Sequence, residues 1–189
     1  MRALTSVQTT LVLLCSPGSA SLAQRMPKRP RSAGCIEALY HKKQTTGPQS
    51  PPLLSAAKLT FAEQHGMVEQ PSSPLSPRQV LLVDAEELAA LGLAQGALRE
   101  NVVLRGVRVG SLASGTVLRL GSTTELRLTF ACEPCGHILD RMAPPAREAL
   151  GPNALKRLVG KRGVLATVLR GGEVSAGDEC VVVRAPALP

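Results

Sequence analysis

Cys132-Glu-Pro-Cys135-Gly-His137 gathers two thiols and an imidazole into six residues. These groups can act as nucleophiles, sulfur carriers or soft-metal ligands. Upstream, Leu126, Leu128 and Phe130 alternate with Arg127 and Thr129, the period of a half-buried strand. Pro134 has no amide to give and stops such a ladder. Ile138, Leu139 and Met142 then fall at helical spacing. Cys135 is therefore expected where a strand gives way to a short helix. Unpaired backbone amides there favour a thiolate and draw the thiol below its free pKa of about 8.5. Three readings stand side by side. Cys135 is a nucleophile or metal ligand; or Cys132, Cys135, His137 and Cys180 form a zinc or redox module, although a second metal knuckle is missing; or the thiols only pack.

The elements that position this segment are mostly strands. Ile36–Tyr40 reads as a first strand and 42–55 as a loop punctuated by Gly47, Pro48, Pro51 and Pro52. A strand over 56–61 and a loop over 65–77 follow. Arg78–Val83 reads as a buried strand. Asp84-Ala-Glu-Glu87 has the form of a capping box opening a short helix, with Leu88 and Leu91 buried and Gly92 ending it. From Arg99 strand follows strand: 99–104, 107–112, then 116–120 and 125–130 around the Gly121–Thr124 turn. Residues 144–158 read as short helix and loop, and 162–169 with 179–183 as a last pair. Val164, Ala166 and Val168 share one face. Many short strands with glycine turns and few helices predict a mostly β fold, a barrel or closed sheet.

Composition excludes some functions. The net charge of +8 suggests a polyanion partner until it is located: five cations (Arg2, Arg25, Lys28, Arg29, Arg31) precede the first acid, Glu37. The remainder is only mildly basic. With no Trp, one Tyr and two Phe, the chain lacks the aromatic platforms on which bases stack, so no nucleic-acid partner is expected. Five cysteines at irregular spacing do not form a secreted disulfide framework, and a cytoplasmic location is expected. No apolar run is long enough to span a membrane as a helix. The short apolar stretch Leu11–Cys15 and Ser21-Leu-Ala23 resemble a signal peptide. Met26 before Pro-Lys-Arg-Pro-Arg resembles an alternative start. Residues 1–34 are read as a leader or disordered N-terminus in preference to an export signal.

The order of motifs resembles the MOSC domain, found at the C-terminus of molybdenum cofactor sulfurases, in amidoxime-reducing proteins and as small stand-alone proteins. The resemblance rests on Ser76-Pro-Arg-Gln-Val-Leu-Leu-Val83, Leu98-Arg-Glu-Asn-Val-Val103, Leu112-x-x-Gly115-x-x-Leu118-Arg-Leu-Gly121, Cys132-x-x-Cys135-Gly and Arg162-Gly-Val-Leu-Ala, with Gly171-Gly172 and Gly177-Asp178 beyond. It implies a MOSC-like β-barrel with a few short helices over residues 35–186. It also implies binding of the molybdenum cofactor, molybdopterin, or sulfur transfer through a reactive cysteine. Cys135 matches the family's cysteine, as molybdenum ligand or sulfur carrier. Arg99 and Asn101 match its Arg-x-Asn motif at the pterin phosphate, and Arg78 and Arg162 fall in motifs near the same pocket. A redox or sulfur-donor protein is the implied partner, and a molybdenum-dependent oxidoreductase or sulfur carrier the implied activity. The alternative is a barrel that binds without catalysis. With Arg99 and Asn101 at the start of one strand and Cys135 at the end of another, these residues are expected to meet at one mouth of the barrel.

Overall fold

The structure, a computed structural model, describes residues 33–43 and 53–185. The leader lies outside these residues except Ala33 and Gly34, which already belong to the first strand. In chain order the strands are β1 (Ala33–Lys42), β2 (Leu53–Ala56), β3 (Lys58–Ala62), β4 (Gly66–Met67), β5 (Gln70–Pro71) and β6 (Val80–Asp84). After helix α1 (Ala85–Leu91) come β7 (Val102–Arg105), β8 (Val117–Leu120) and β9 (Thr124–Ala131). Three short helices follow, α2 (Gly136–Arg141), α3 (Pro144–Leu150) and α4 (Ala154–Leu158), before β10 (Val164–Arg170), β11 (Gly172–Ser175) and β12 (Glu179–Arg184).

Seven strands close on themselves in the order β12-β8-β9-β10-β6-β7-β1, with β1 returning to β12 through the Gly34 and Cys180 pair. All neighbours are antiparallel except β6 and β7, which run parallel through α1. Closure removes the open edges that an aliphatic sheet would otherwise expose. A second sheet, β11-β3-β4-β5, caps the barrel and adds Leu59, Phe61, Met67 and Val174 to the core.

Two cores share one wall. On β6, Val80 and Leu82 point into the barrel, while Leu81 and Val83 point out against the helices. β7 and β10 repeat this split, with Val102, Leu104, Val164, Ala166 and Val168 inside and Val103 and Leu165 outside. The outer core is completed by Leu88 and Leu91 of α1, Ile138 of α2, Leu150 of α3 and Leu158 of α4. Burial on both faces explains why Val80-Leu-Leu-Val83 is apolar without alternation. Leu82 is fully buried, and truncating such a side chain to Ala costs about 2–5 kcal/mol.

Several local expectations are corrected. Residues 107–112 do not form a strand; Val109–Ser111 is a single 3-10 turn. The cause is Asp84. It precedes α1 but makes no side-chain cap, and its carboxylate instead accepts the amides of Val109 at 2.8 Å and Gly110 at 3.4 Å. Glu87 reaches Lys161 rather than the helix start. The stretch 65–77 contains two short strands, and the last glycine-rich link contains β11. Gly92 ends α1 in the left-handed conformation, as its type predicts.

Candidate functional site

The sulfur segment is held by its neighbour strand. The Cys132 amide donates to the Gly163 carbonyl at 2.9 Å, one step past the end of β9. Thr129 braces the same corner, its hydroxyl reaching the carbonyls of Pro77 and Leu165 at 2.8 and 2.9 Å. Gly163 has φ +90°, and a Cβ there would lie 2.2 Å from the Leu82 carbonyl oxygen. Only glycine lets the chain pass so close, and that passage brings Arg162 against the sulfur segment. Arg162 Nη1 donates to Cys132 Sγ at 3.0 Å and to the Glu133 carbonyl at 3.1 Å. Its Nε is buried with no hydrogen-bond partner among the described residues.

The two thiols differ. Cys132 is buried in the outer core, and burial pushes its thiol up while Arg162 and then Arg78 draw it back. Cys135 is exposed and extended (φ −133°, ψ 164°) as the residue before α2, where its side chain caps nothing. The strand-to-helix placement predicted for Cys135 is the observed one.

Cations gather around this corner. The Lys42 ammonium, at the end of β1, is lowered first by burial and then by Arg99, Arg141 and Arg162, while Cys132 acts in the opposite sense. Arg99 is likewise lowered by burial and by Arg141. The ion pairs among the described residues join Lys58 to Glu173, Arg105 to Glu37 and Lys161 to Glu87. None of these acids reaches Lys42, Arg141 or Arg162. Arg99 adopts φ +60°, a left-handed conformation that costs a non-glycine residue of order 1 kcal/mol and persists only where its surroundings enforce it. Arg78 lies over the ring of Phe130, 5.3 Å from its centroid, and its charge is felt at Cys132.

Behind Arg99 stand two buried polar residues. The Asn101 side chain accepts the Leu81 amide at 2.9 Å and donates to the Tyr40 carbonyl at 3.3 Å and to Gln70 Oε1 at 3.4 Å. Its amide is thus committed to holding β1, β6 and β7 in register. Glu100 is fully buried, receives the Gly96 amide, and is pushed up by burial. Neither residue presents a free polar edge to solvent.

The structure draws Arg99, Arg162 and Cys132 into one cluster, with Arg78 and Cys135 beside Cys132. It does so at a different place from the expected mouth. Cys132 packs with Ile138 and Leu165 in the outer core. The cluster therefore lies on the outer wall of the barrel, at the edge of the helical layer. The shift arises because Cys132, one residue past β9, is buried with Ile138 and Leu158 of the helical layer and not in the barrel interior. Lys42 and Arg141 were missed from the sequence. The basic triplet His41-Lys42-Lys43 at a strand end was the available signal for Lys42. Arg141 carried none beyond its place in the last turn of a helix. For a zinc module no ligand set exists: no group of three or more His, Cys, Asp or Glu suited to a metal ion occurs among the described residues. Cys180 lies inside the barrel, in the core separated from Cys132 by the wall. No helix among the described residues is long and apolar enough to cross a membrane.

The sequence model of the MOSC domain matches residues 63–181. No curated protein matches the chain. Among solved structures the chain is similar to the YuaD protein from Bacillus subtilis, at 21% identity and a TM-score of 0.64, over 78% of this chain and 94% of that one. It is also similar to YiiM from Geobacillus stearothermophilus, at 17% identity and TM-score 0.60, over 80% and 75% of the two chains. YiiM from Escherichia coli superposes at 18% identity and TM-score 0.56, over 82% and 72%. These likenesses agree with the closed barrel and its short helices.

Proposed function

Because the chain belongs to the MOSC domain family, we propose that it binds a molybdenum–pterin cofactor on the outer wall of its barrel and presents the Cys135 thiol to the metal. One observation carries this reading: Lys42, Arg99, Arg141 and Arg162 crowd around the sulfur segment, and no carboxylate among the described ion pairs serves Lys42, Arg141 or Arg162. Gathering like charges at a half-buried place is unfavourable unless an anion joins them.

The residues present fit the group. An exposed thiol is a soft ligand suited to molybdenum. Guanidinium and ammonium groups suit a phosphate, and Arg162 and Lys42 supply both beside the sulfur segment. When bound, the cofactor supplies redox or sulfur-transfer chemistry at its metal. The chain does the rest. Arg162 spans Cys132 and the incoming anion. Arg99 and Lys42 supply further donors to phosphate oxygens, and Arg78 adds charge from the Phe130 side. Asn101 acts from behind, fixing the strand that carries Arg99.

Exposure of Cys135 favours a second use of the same site, in which its thiolate attacks the outer sulfur of a donor protein's persulfide, releases the donor's thiol, and hands that sulfur to an acceptor nucleophile with Cys135 thiolate leaving. Both uses need an outside partner, a reductant in the first and a sulfur donor in the second. The test is elemental and pterin analysis of the protein expressed in a host that makes the cofactor. Molybdenum with pterin supports the reading. Neither would leave a barrel that binds something else, and stoichiometric zinc would favour the metal-module alternative.

A further inference from the structure

Beside the sulfur cluster, a cleft of about 580 Å³ opens between the loop after α1 and the corner joining α2 to α3. Its volume falls in the range of small-molecule sites, about 300–1,000 Å³. Its walls are small and apolar, with Leu53, Ala94, Ala97 and Pro145 among them, and its lining includes Arg99 and Arg141 but no acid. Tyr40 contributes a ring and a hydroxyl. Burial, and then Glu100, push that phenol up, so it remains a donor. Gly96, at φ +86°, keeps the loop tight on this floor: a Cβ would meet Leu53 Cδ2 at 3.3 Å and Tyr40 Cε1 at 3.4 Å.

We infer that this cleft binds a small organic anion with a flat apolar body, its acid group on Arg141 and its body between Tyr40 and the alanine-lined walls. Two independent features select that class. The apolar lining is wasted on an inorganic anion, and Arg141 in a lining without an acid disfavours a neutral or cationic molecule. The position suits a substrate site. Helix α2 has six residues and spans about 9 Å, so Arg141 stands about that far along the axis from Cys135. The inference goes beyond the cofactor reading and does not depend on metal being present.

Titration calorimetry on the full chain tests it with three probes: benzoate, benzamide with the same shape but no charge, and acetate with the charge but no body. Benzoate is expected to bind at least tenfold more tightly than either of the others. Arg141→Gln, an exposed change at a helix end, should weaken benzoate at least tenfold, and Ala143→Leu should do so by filling the cleft. Both variants should keep the wild-type circular dichroism and melt no lower than the wild type, Arg141→Gln somewhat higher because it no longer repels Lys42. Benzoate binding no tighter than benzamide or acetate would overturn the inference, as would an unchanged affinity in folded Arg141→Gln. If the protein carries pterin, equal benzoate affinity with and without it supports a separate site. Loss of binding in the loaded protein would assign the cleft to the cofactor and overturn the inference. Molybdenum and pterin content, measured on the same samples, judges the cofactor reading separately.

Discussion

Replacing Lys42 by Met should stabilise the empty protein while weakening its hold on anions. The ammonium is disfavoured where it stands, by burial first and then by three arginines. The backbone of Lys42 is anchored separately, its amide donating to Gln70 Oε1 at 2.8 Å, so the strand end survives the change. Two like charges about 8 Å apart at an effective dielectric near 20 repel by about 2 kcal/mol. Salt and partial solvation reduce that several-fold, and Met retains the apolar stem. A net gain of about 1 kcal/mol is expected, a rise of about 2–4 °C in Tm for a chain of this size. The sign has a pH signature. A lysine whose folded pKa lies below the ordinary 10.5 binds fewer protons folded than unfolded, so wild-type stability rises as pH climbs toward that value. The advantage of Lys42→Met should therefore shrink as pH approaches 10.5. In the same scans, the upward shift that inorganic phosphate gives the wild type should diminish in the variant, since a charge-assisted hydrogen bond is worth about 1.5–3 kcal/mol. A variant that melts lower at low salt and keeps the full phosphate shift would refute the reasoning.

Other perturbations bear on separate parts of the structure. Alkylation at neutral pH, read by peptide mass, should modify exposed Cys135 ahead of buried Cys132 and leave Cys180 untouched. Burial pushes Cys180 to about 12, so the stability it lends is present below the ordinary 9.0 and is lost as pH rises from there toward 12. Arg162→Met removes the donor at Cys132 Sγ and should slow Cys132 alkylation further, because burial then acts against one charge fewer. Glu100 is raised by burial, so stability is lost as pH climbs above the ordinary 4.5; chemical denaturation of Glu100→Gln should show a flatter pH dependence there. Asn101→Ala strands the buried Leu81 amide and should cost about 1–3 kcal/mol by denaturant titration, with Arg99 losing its register as a consequence.

Much of the barrel was legible because its strands announce themselves. The alternation at Leu126 and Leu128, the double-sided apolar run Val80–Val83 and the glycine turns each report a local requirement that tertiary structure did not override, whereas Phe130, expected on the buried face, is exposed beneath Arg78. The strand-to-helix junction at Cys135 was legible for the same reason, since Pro134 has no amide to donate and β9 ends at Ala131 just before it. The misreadings involve side chains that work at a distance. Asp84 has the sequence of a helix cap, yet it lies within reach of the amides of Val109 and Gly110, which no local pattern records. Lys42 and Arg141 are 99 residues apart in sequence, and only closure of β1 onto β7 and packing of α2 on the outer wall bring them together. The outer-wall placement of the cluster was hidden by the same fact. Strand order around a barrel and the choice of covered face are set by long-range pairing.

The central claim is that the outer-wall cations and Cys135 together hold an anionic molybdenum cofactor. Its most direct test is molybdenum and pterin content per chain for wild type, Cys135→Ser and Lys42→Met, all purified from a host that makes the cofactor. The account predicts stoichiometric molybdenum and pterin in wild type, loss of molybdenum in Cys135→Ser, and reduced amounts of both in Lys42→Met despite its higher melting point. Wild-type protein with neither, or Cys135→Ser with a full complement of metal, would contradict it.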